Sequence, residues 1–118
     1  MSENVETGKK GEDLAVAYLE GLNFSILHRN WRHSRYEIDI IACRDTILHF
    51  IEVKTRRSHK HGYPEESVSP KKIRNLMQAG AEFMFQYPGW IRVQYNILAI
   101  TILHDRAPDY FLIEDIYL

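Results

Sequence analysis

A chain of 118 residues with 45% hydrophobic and 26% charged content is sized for one domain, residues 1–118, that buries a core without disulfide or metal staples. Its one cysteine, Cys43, excludes a disulfide framework within the chain and points to a reducing, cytoplasmic setting. No apolar stretch is long enough to span a bilayer, and the start, MSENVETGKKGED, lacks the apolar segment of a signal peptide, so no membrane association is expected.

The formal net charge of −1 hides an asymmetry. Residues 25–75 hold eleven Lys/Arg against six Asp/Glu, while the two flanks together hold four against ten. A basic middle is the electrostatic footprint of a nucleic-acid surface, although an unevenly charged solvated surface produces the same count.

The first element in chain order is a helix over residues 8–21, GKKGEDLAVAYLEG. Leu14, Ala15, Tyr18, Leu19 and Leu22 recur at helical spacing, and Gly21 suits the C-terminal end. Glu12 and Asp13 lie early in this helix, where the macrodipole favours acids. Strands are expected over 24–31 (FSILHRNW), 36–43 (YEIDIIAC) and 46–55 (TILHFIEVKT), the last two joined tightly at Arg44-Asp45. Neither residue of that connection is a strong former of the primed turns that tight hairpins prefer.

Ser69-Pro70 has the signature of a helix start, serine as N-cap and proline at the first helical position. Ile73, Leu76, Met77, Gly80, Met84 and Tyr87 continue that helix, and Pro88-Gly89 ends it. Further strands are expected over 91–103 and 110–117. The order α-β-β-β-α-β-β predicts an α/β domain with a mixed sheet.

Within the third strand the stretch IEVK is unusual. Side chains alternate along a strand, so Glu52 and Lys54 project to one side while Ile51 and Val53 go to the other. In the second strand Glu37, Asp39 and Ile41 share a face. A hairpin joining the two strands sets Asp39 directly across from Glu52 or one diagonal step away, and Lys54 on the same side. Opposed carboxylates destabilise a sheet, a penalty that a divalent cation reverses. Asp39, Glu52 and the carbonyl of Val53 could hold Mg²⁺ or Mn²⁺ beside a phosphodiester, with Lys54 orienting water or neutralising charge on the phosphate. Glu12, on the first helix, could reach the same cleft. Each residue also has an ordinary reading: Glu-x-Lys on a half-exposed strand, an acid on a solvated sheet face, and an acid at a helix start.

Taken together, GKKGEDLAVAYLEGLNF, RNW, EIDIIA, FIEVKTRRS and VSPKK resemble the YraN (UPF0102) family of small bacterial proteins. Through it the chain resembles the restriction-endonuclease-like, or PD-(D/E)xK, superfamily, near the archaeal Holliday junction resolvases. The resemblance runs from Gly8 to about Ile100 and implies an αβββαβ core whose mixed central sheet is flanked by helices. By motif it implies metal-binding acids at Asp39 and Glu52, a catalytic lysine at Lys54 and a helix-borne acid at Glu12. Glu37 matches a further acid of the motif. Two positions depart from the family pattern: Tyr36 stands where a glycine is usual, and Asn96 where a late-strand aspartate is usual.

Arg56, Arg57 and Lys60 follow the candidate acids, and Lys71, Lys72 and Arg74 open the second helix. Such a set would track a nucleic-acid backbone with little sequence preference and strong salt dependence. The pair His59 and His61 has no cysteine or third histidine at zinc-binding spacing. Trp31, Tyr36 and Trp90 could stack on bases, but packing is the simpler role, and Cys43 reads as a small buried residue. The expectation is a Mg²⁺- or Mn²⁺-dependent endonuclease acting on nucleic acid, DNA in particular and branched DNA among its forms. The alternatives are a nucleic-acid-binding module of the same fold without turnover, and a protein-interaction domain. A homodimer would suit a two-fold branched substrate.

Overall fold

The computed structural model describes residues 3–57 and 68–116. Helix α1 spans Glu3–Gly21, and strands β1 (Ser25–His33), β2 (Tyr36–Arg44) and β3 (Ile47–Arg56) follow. Helix α2 covers Pro70–Gln86, and β4 (Val93–Thr101) and β5 (Asp109–Ile113) complete the fold. The strands form one five-stranded sheet in the order β1-β2-β3-β4-β5. All neighbours are antiparallel except β3 and β4, which run parallel and are connected through α2, as a parallel pair requires. The mixed α/β architecture and its element order are those read from the sequence, and the sheet is compatible with an αβββαβ core.

The two helices cover opposite faces. Ala15 and Leu19 of α1 are buried with Phe24, Ile40, Ala42, Ile51, Leu98 and Ile100. Leu76, Ala79 and Phe83 of α2 are buried on the other side with Ile38, Ile41, Leu48 and Phe50. A fully buried Leu, Ile or Phe contributes about 1.5–3 kcal/mol. An exposed ion pair such as Arg44–Glu114 contributes about 0–1 kcal/mol, so these two clusters hold the fold. Leu22, expected on the α1 stripe, falls beyond the helix and is 36% exposed. Tyr87 is likewise more exposed than its spacing suggests, and Phe83 takes the central place on α2. Trp31, Tyr36 and Trp90 pack against the α2-side cluster, and Cys43 is half-buried rather than sealed in the core.

Two local features fix the geometry that matters below. Ser69 caps α2, its side chain accepting from the Lys72 amide at 3.2 Å, with Pro70 at the start of the helix. The β2–β3 hairpin pairs Arg44 with Ile47, leaving a two-residue loop in which Asp45 (φ 54°) and Thr46 (φ 66°) are both left-handed. A primed turn therefore forms from residues that do not favour it, because the flanking strands are pinned by buried pairs on both sides. Glycine is required at Gly11, where a Cβ would come within 2.0 Å of Thr55 Cγ2, so α1 lies directly on β3 at that point. No helix among the described residues is long and apolar enough to cross a membrane.

Candidate functional site

The backbone ladder between β2 and β3 runs from Arg44↔Ile47 to Ile40↔Ile51 and stops there. Continued one step, the same register sets Asp39 directly opposite Glu52. Instead of a backbone pair at this step, the Val53 amide donates to Asp39 Oδ2 at 2.8 Å. The carboxylate thus lies in the gap between the strands and takes a hydrogen bond that a main-chain carbonyl would otherwise accept.

This placement has a visible cause in the chain. Side chains should alternate along β2, yet Ile38 and Ile41 join the α2-side cluster while Ile40 and Ala42 join the α1-side cluster. The alternation breaks at Asp39. On β1 the break is matched: Arg29, paired with Ile40, reaches α1, whereas Trp31, paired with Ile38, packs against Phe83 of α2. Between them sits Asn30, left-handed at φ 52°, which is a conformation asparagine tolerates better than most residues. Both strands change face at this step. Asp39 therefore reaches Glu52 through the opened gap and not by simple period-two alternation.

Asp39 and Glu52 line one cavity of about 290 Å³, together with Arg35, Tyr36 and Glu37 from the start of β2 and Lys72, Asn75 and Gln78 from α2. Both acids are half-buried. Burial, first, raises the Asp39 carboxyl above its ordinary range, against the lowering effect of the Val53 amide; Glu37 and Glu12 raise it further. Burial also raises Glu52, with the charge of Asp39 next and the ammonium groups of Lys72 and Lys54 opposing. Lys72 is pushed down, chiefly by its contact with Lys54 and then by burial. Four of the charged groups expected or found here, Asp39, Glu52, Lys54 and Lys72, thus act directly on one another.

The remaining sequence-derived candidates are distributed as follows. Glu12 is occupied elsewhere: Arg29 Nε donates to its Oε1 at 3.0 Å and the Asn30 amide to both its oxygens at 2.8 Å. It still bears on Asp39 through space. Among the described residues no three His, Cys, Asp or Glu side chains converge as a metal cluster, so the acids gathered at the gap are Asp39 and Glu52. Arg56 donates from Nε to Thr101 Oγ1 at 3.1 Å, Arg57 is exposed at the end of β3, and Lys71 is exposed at the start of α2. Lys60, with His59 and His61, lies outside the described residues.

Tyr36, the departure from glycine, follows a turn with Ser34 at φ 56° and contributes a wall of the cavity, with Arg35 over its ring at 5.3 Å. Asn96, the departure from aspartate, is wholly buried away from the cavity. Its amide nitrogen lies 2.9 Å from His49 Nδ1, and its Oδ1 accepts from the Asp115 amide at 3.0 Å. The late strand therefore supplies a structural amide at this position and no acid to the gap.

Sequence reasoning missed the contribution of Asn75 and Gln78, and of Asn30 as the holder of Glu12. A signal for the first was present: Lys72, Asn75, Leu76 and Ala79 follow the i, i+3, i+4, i+7 spacing of one helix face. That face starts polar at the cavity and becomes apolar in the core. The signal for Asn30 is the change of face, which no local pattern announces.

Hard oxygen donors are what this site offers. Asp39, engaged through Oδ2 by the Val53 amide, and Glu52 line the cavity with carboxylate oxygens, the kind of donor that could hold a small divalent cation completed by water and substrate oxygens. Two half-buried acids, both raised by burial and Glu52 also by the charge of Asp39, are the counter-charge such an ion would need.

Comparisons with other proteins give the chain its relatives. Residues 11–102 match the profile of the Uncharacterised protein family UPF0102. A UPF0102 protein of Chloroherpeton thalassium is 36% identical over 125 residues, covering 99% of this chain and 97% of the relative. One from Rhodococcus opacus is 36% identical over 118 residues, covering 99% and 100%, and one from Flavobacterium johnsoniae is 42% identical over 104 residues, covering 85% of each. The chain belongs to the UPF0102 family.

Proposed function

We propose that the protein is a metal-dependent phosphodiesterase acting on nucleic acid, a nuclease of the restriction-endonuclease-like kind with DNA, including branched DNA, as its substrate. One observation carries the reading: at the point where β2 and β3 part, Asp39 and Glu52 face the same cavity, with Asp39 fixed by the Val53 amide. A sheet built only for stability gains nothing from a second half-buried acid, Glu52, set opposite the first and raised by its charge. The similarity to the Holliday junction resolvases rests on the motif alone.

Asp39, Glu52 and the Val53 carbonyl would hold Mg²⁺ or Mn²⁺. When bound, the ion would polarise the phosphoryl group and favour deprotonation of the attacking water. The protein's own part is positional. The Val53 amide keeps Asp39 from swinging out of the gap. Lys54, on the same strand as Glu52, orients water toward phosphorus or meets the charge that builds on the phosphate oxygens. The water oxygen bonds to phosphorus, one ester oxygen leaves, and that oxygen takes up a proton. Glu12 assists once released by Arg29 and Asn30. Arg56, Arg57, Lys60, Lys71 and Lys72 would follow the backbone of the strand.

The test compares cleavage of linear duplex, single-stranded and four-way DNA, with Mg²⁺ or Mn²⁺, by wild type and by Glu52→Gln. Loss of at least about a hundredfold in the variant is expected from removing a metal-binding acid. Equal activity in both proteins would mean a contaminant and would sink the enzyme reading. Salt-sensitive binding with no cleavage under either metal would establish the non-catalytic binding module in its place.

A further inference from the structure

Glu37, Asp39 and Glu52 bring three negative charges to the cavity, and Arg35 and Lys72 bring two positive ones. Lys54, two residues along β3 from Glu52, adds a third that acts on both Glu52 and Lys72. The protein's own charges therefore balance. A divalent cation at Asp39 and Glu52 would leave an excess of two positive charges, located where the lysines meet. Two ammonium groups packed together repel unless an anion lies against both. Glu52 answers them in part, but it is also the residue a cation would claim.

Lys72 is not an ordinary groove residue. Its neighbour Lys71 is exposed, whereas Lys72 is half-buried and lines the cavity with both acids. Its backbone amide is tied to the Ser69 cap at 3.2 Å, so the stem leaves the first turn of α2 in a fixed place. The amides of Asn75 and Gln78 stand beside it on the same wall.

We propose that Lys54 and Lys72 together form a phosphate-binding pair at the reaction centre, with Lys72 gripping a phosphodiester oxygen from the α2 side. This deepens the nuclease reading and rests on it for the cation at Asp39 and Glu52. Lys72 touches substrate at the scissile group from the α2 side, and Lys54 meets the same phosphate from β3.

The experiment uses the full chain, fluorescein-labelled d(T)6 and Ca²⁺, with anisotropy for affinity and the Lys ε-methylene NMR signals for contact. Lys72→Met keeps the aliphatic stem, Lys72→Arg keeps the charge, and Arg92→Met, exposed just before β4 at the far end of the β3–β4 pair, is the control; thermal unfolding checks that all three remain folded. The expected result is a shift of the Lys72 ε signal on adding d(T)6, and an affinity about tenfold weaker for Lys72→Met, as loss of a charged hydrogen bond gives. Arg92→Met should change affinity less than about threefold, and Lys72→Arg should restore most of the loss. Binding with this pattern but no cleavage in Mg²⁺ or Mn²⁺ would remove the proposed activity and leave the pair standing. Cleavage and binding both unchanged in Lys72→Met would overturn the pair and leave the nuclease reading intact. No binding of d(T)6 by wild type at 50 mM salt would overturn the pair as well.

Discussion

Strand β3 carries two buried polar groupings three residues apart, on opposite faces of the sheet. His49 and Asn96 form one: the Asp115 amide orients the Asn96 carbonyl, so the Asn96 nitrogen donates to His49 Nδ1. That order makes His49 the tautomer with its proton on Nε2. Asp39, Glu52, Lys54 and Lys72 form the other, in which the charge of Asp39 raises Glu52 and Lys54 lowers Lys72. In the first grouping short-range hydrogen bonds answer most of the polar atoms. In the second, charge is left to be answered from outside. The exception in the first is His49 Nε2, buried and without a partner among the described residues, whereas in the second the unanswered groups are carboxylates that face a cavity.

Substituting the proposed metal site should change what happens on adding a cation. With Mn²⁺ at about a hundredfold excess over its Kd, the wild-type protein should gain about 2.7 kcal/mol of stability. Asp39→Asn, which can still accept from the Val53 amide, should gain little; equal shifts in thermal unfolding would place the ion elsewhere. Substituting the other end should act on the fold alone. Asn96→Leu strands His49 Nδ1 in a dry interior and should cost about 1–3 kcal/mol in urea unfolding, with the response to Mn²⁺ unchanged. A comparable loss is expected for Gly11→Ala, about 1–3 kcal/mol, because the new methyl would press α1 off Thr55.

The smallest effect has the opposite sign. In the absence of metal, Glu52→Gln should stabilise the protein by about 0.2–1 kcal/mol, since it removes one of two opposed carboxylates. Destabilisation by this variant would mean that Glu52 belongs to the structural kind of grouping after all.

Acid titration separates the same two regions. Burial lowers the His49 pKa in the folded state below its ordinary 6.5, so below that pH the unfolded chain binds the extra proton. His49 thus contributes stability that is present above pH 6.5 and is lost as pH falls. Asp39 and Glu52 are raised, so they cost stability as pH rises through their folded values and return it as pH falls. Between pH 7.5 and 5.5 the histidine should dominate. A variant His49→Gln should flatten the decline in unfolding free energy over that window.

Much of the fold was legible because it depends on local patterns. Ser69-Pro70 announced α2, period-two runs announced the strands, and Ala15 and Leu19 announced the buried stripe of α1. The pairing of Asp39 with Glu52 was also legible, since the hairpin register restricts it to neighbouring positions. What local patterns could not carry is the change of face at Asn30 and Asp39. It arises between two strands, and each strand alone reads as a regular alternation. The capture of Glu12 by Arg29 and Asn30 follows from that change, so it was hidden for the same reason. Lys72 was seen as one of several basic residues, because its half-burial beside Glu52 depends on where α2 crosses β2 and β3.

The hydrogen bond from the Val53 amide to Asp39 gives this acid a second employment. A chain of this fold that had lost every trace of chemistry would still gain from an oxygen at position 39, because the sheet needs an acceptor there. An acid or amide at that position in a relative therefore reports on architecture as much as on activity. Glu52 accepts no hydrogen bond from a described residue and has no such second use. Its presence or absence in a relative is therefore the better marker of the proposed metal site.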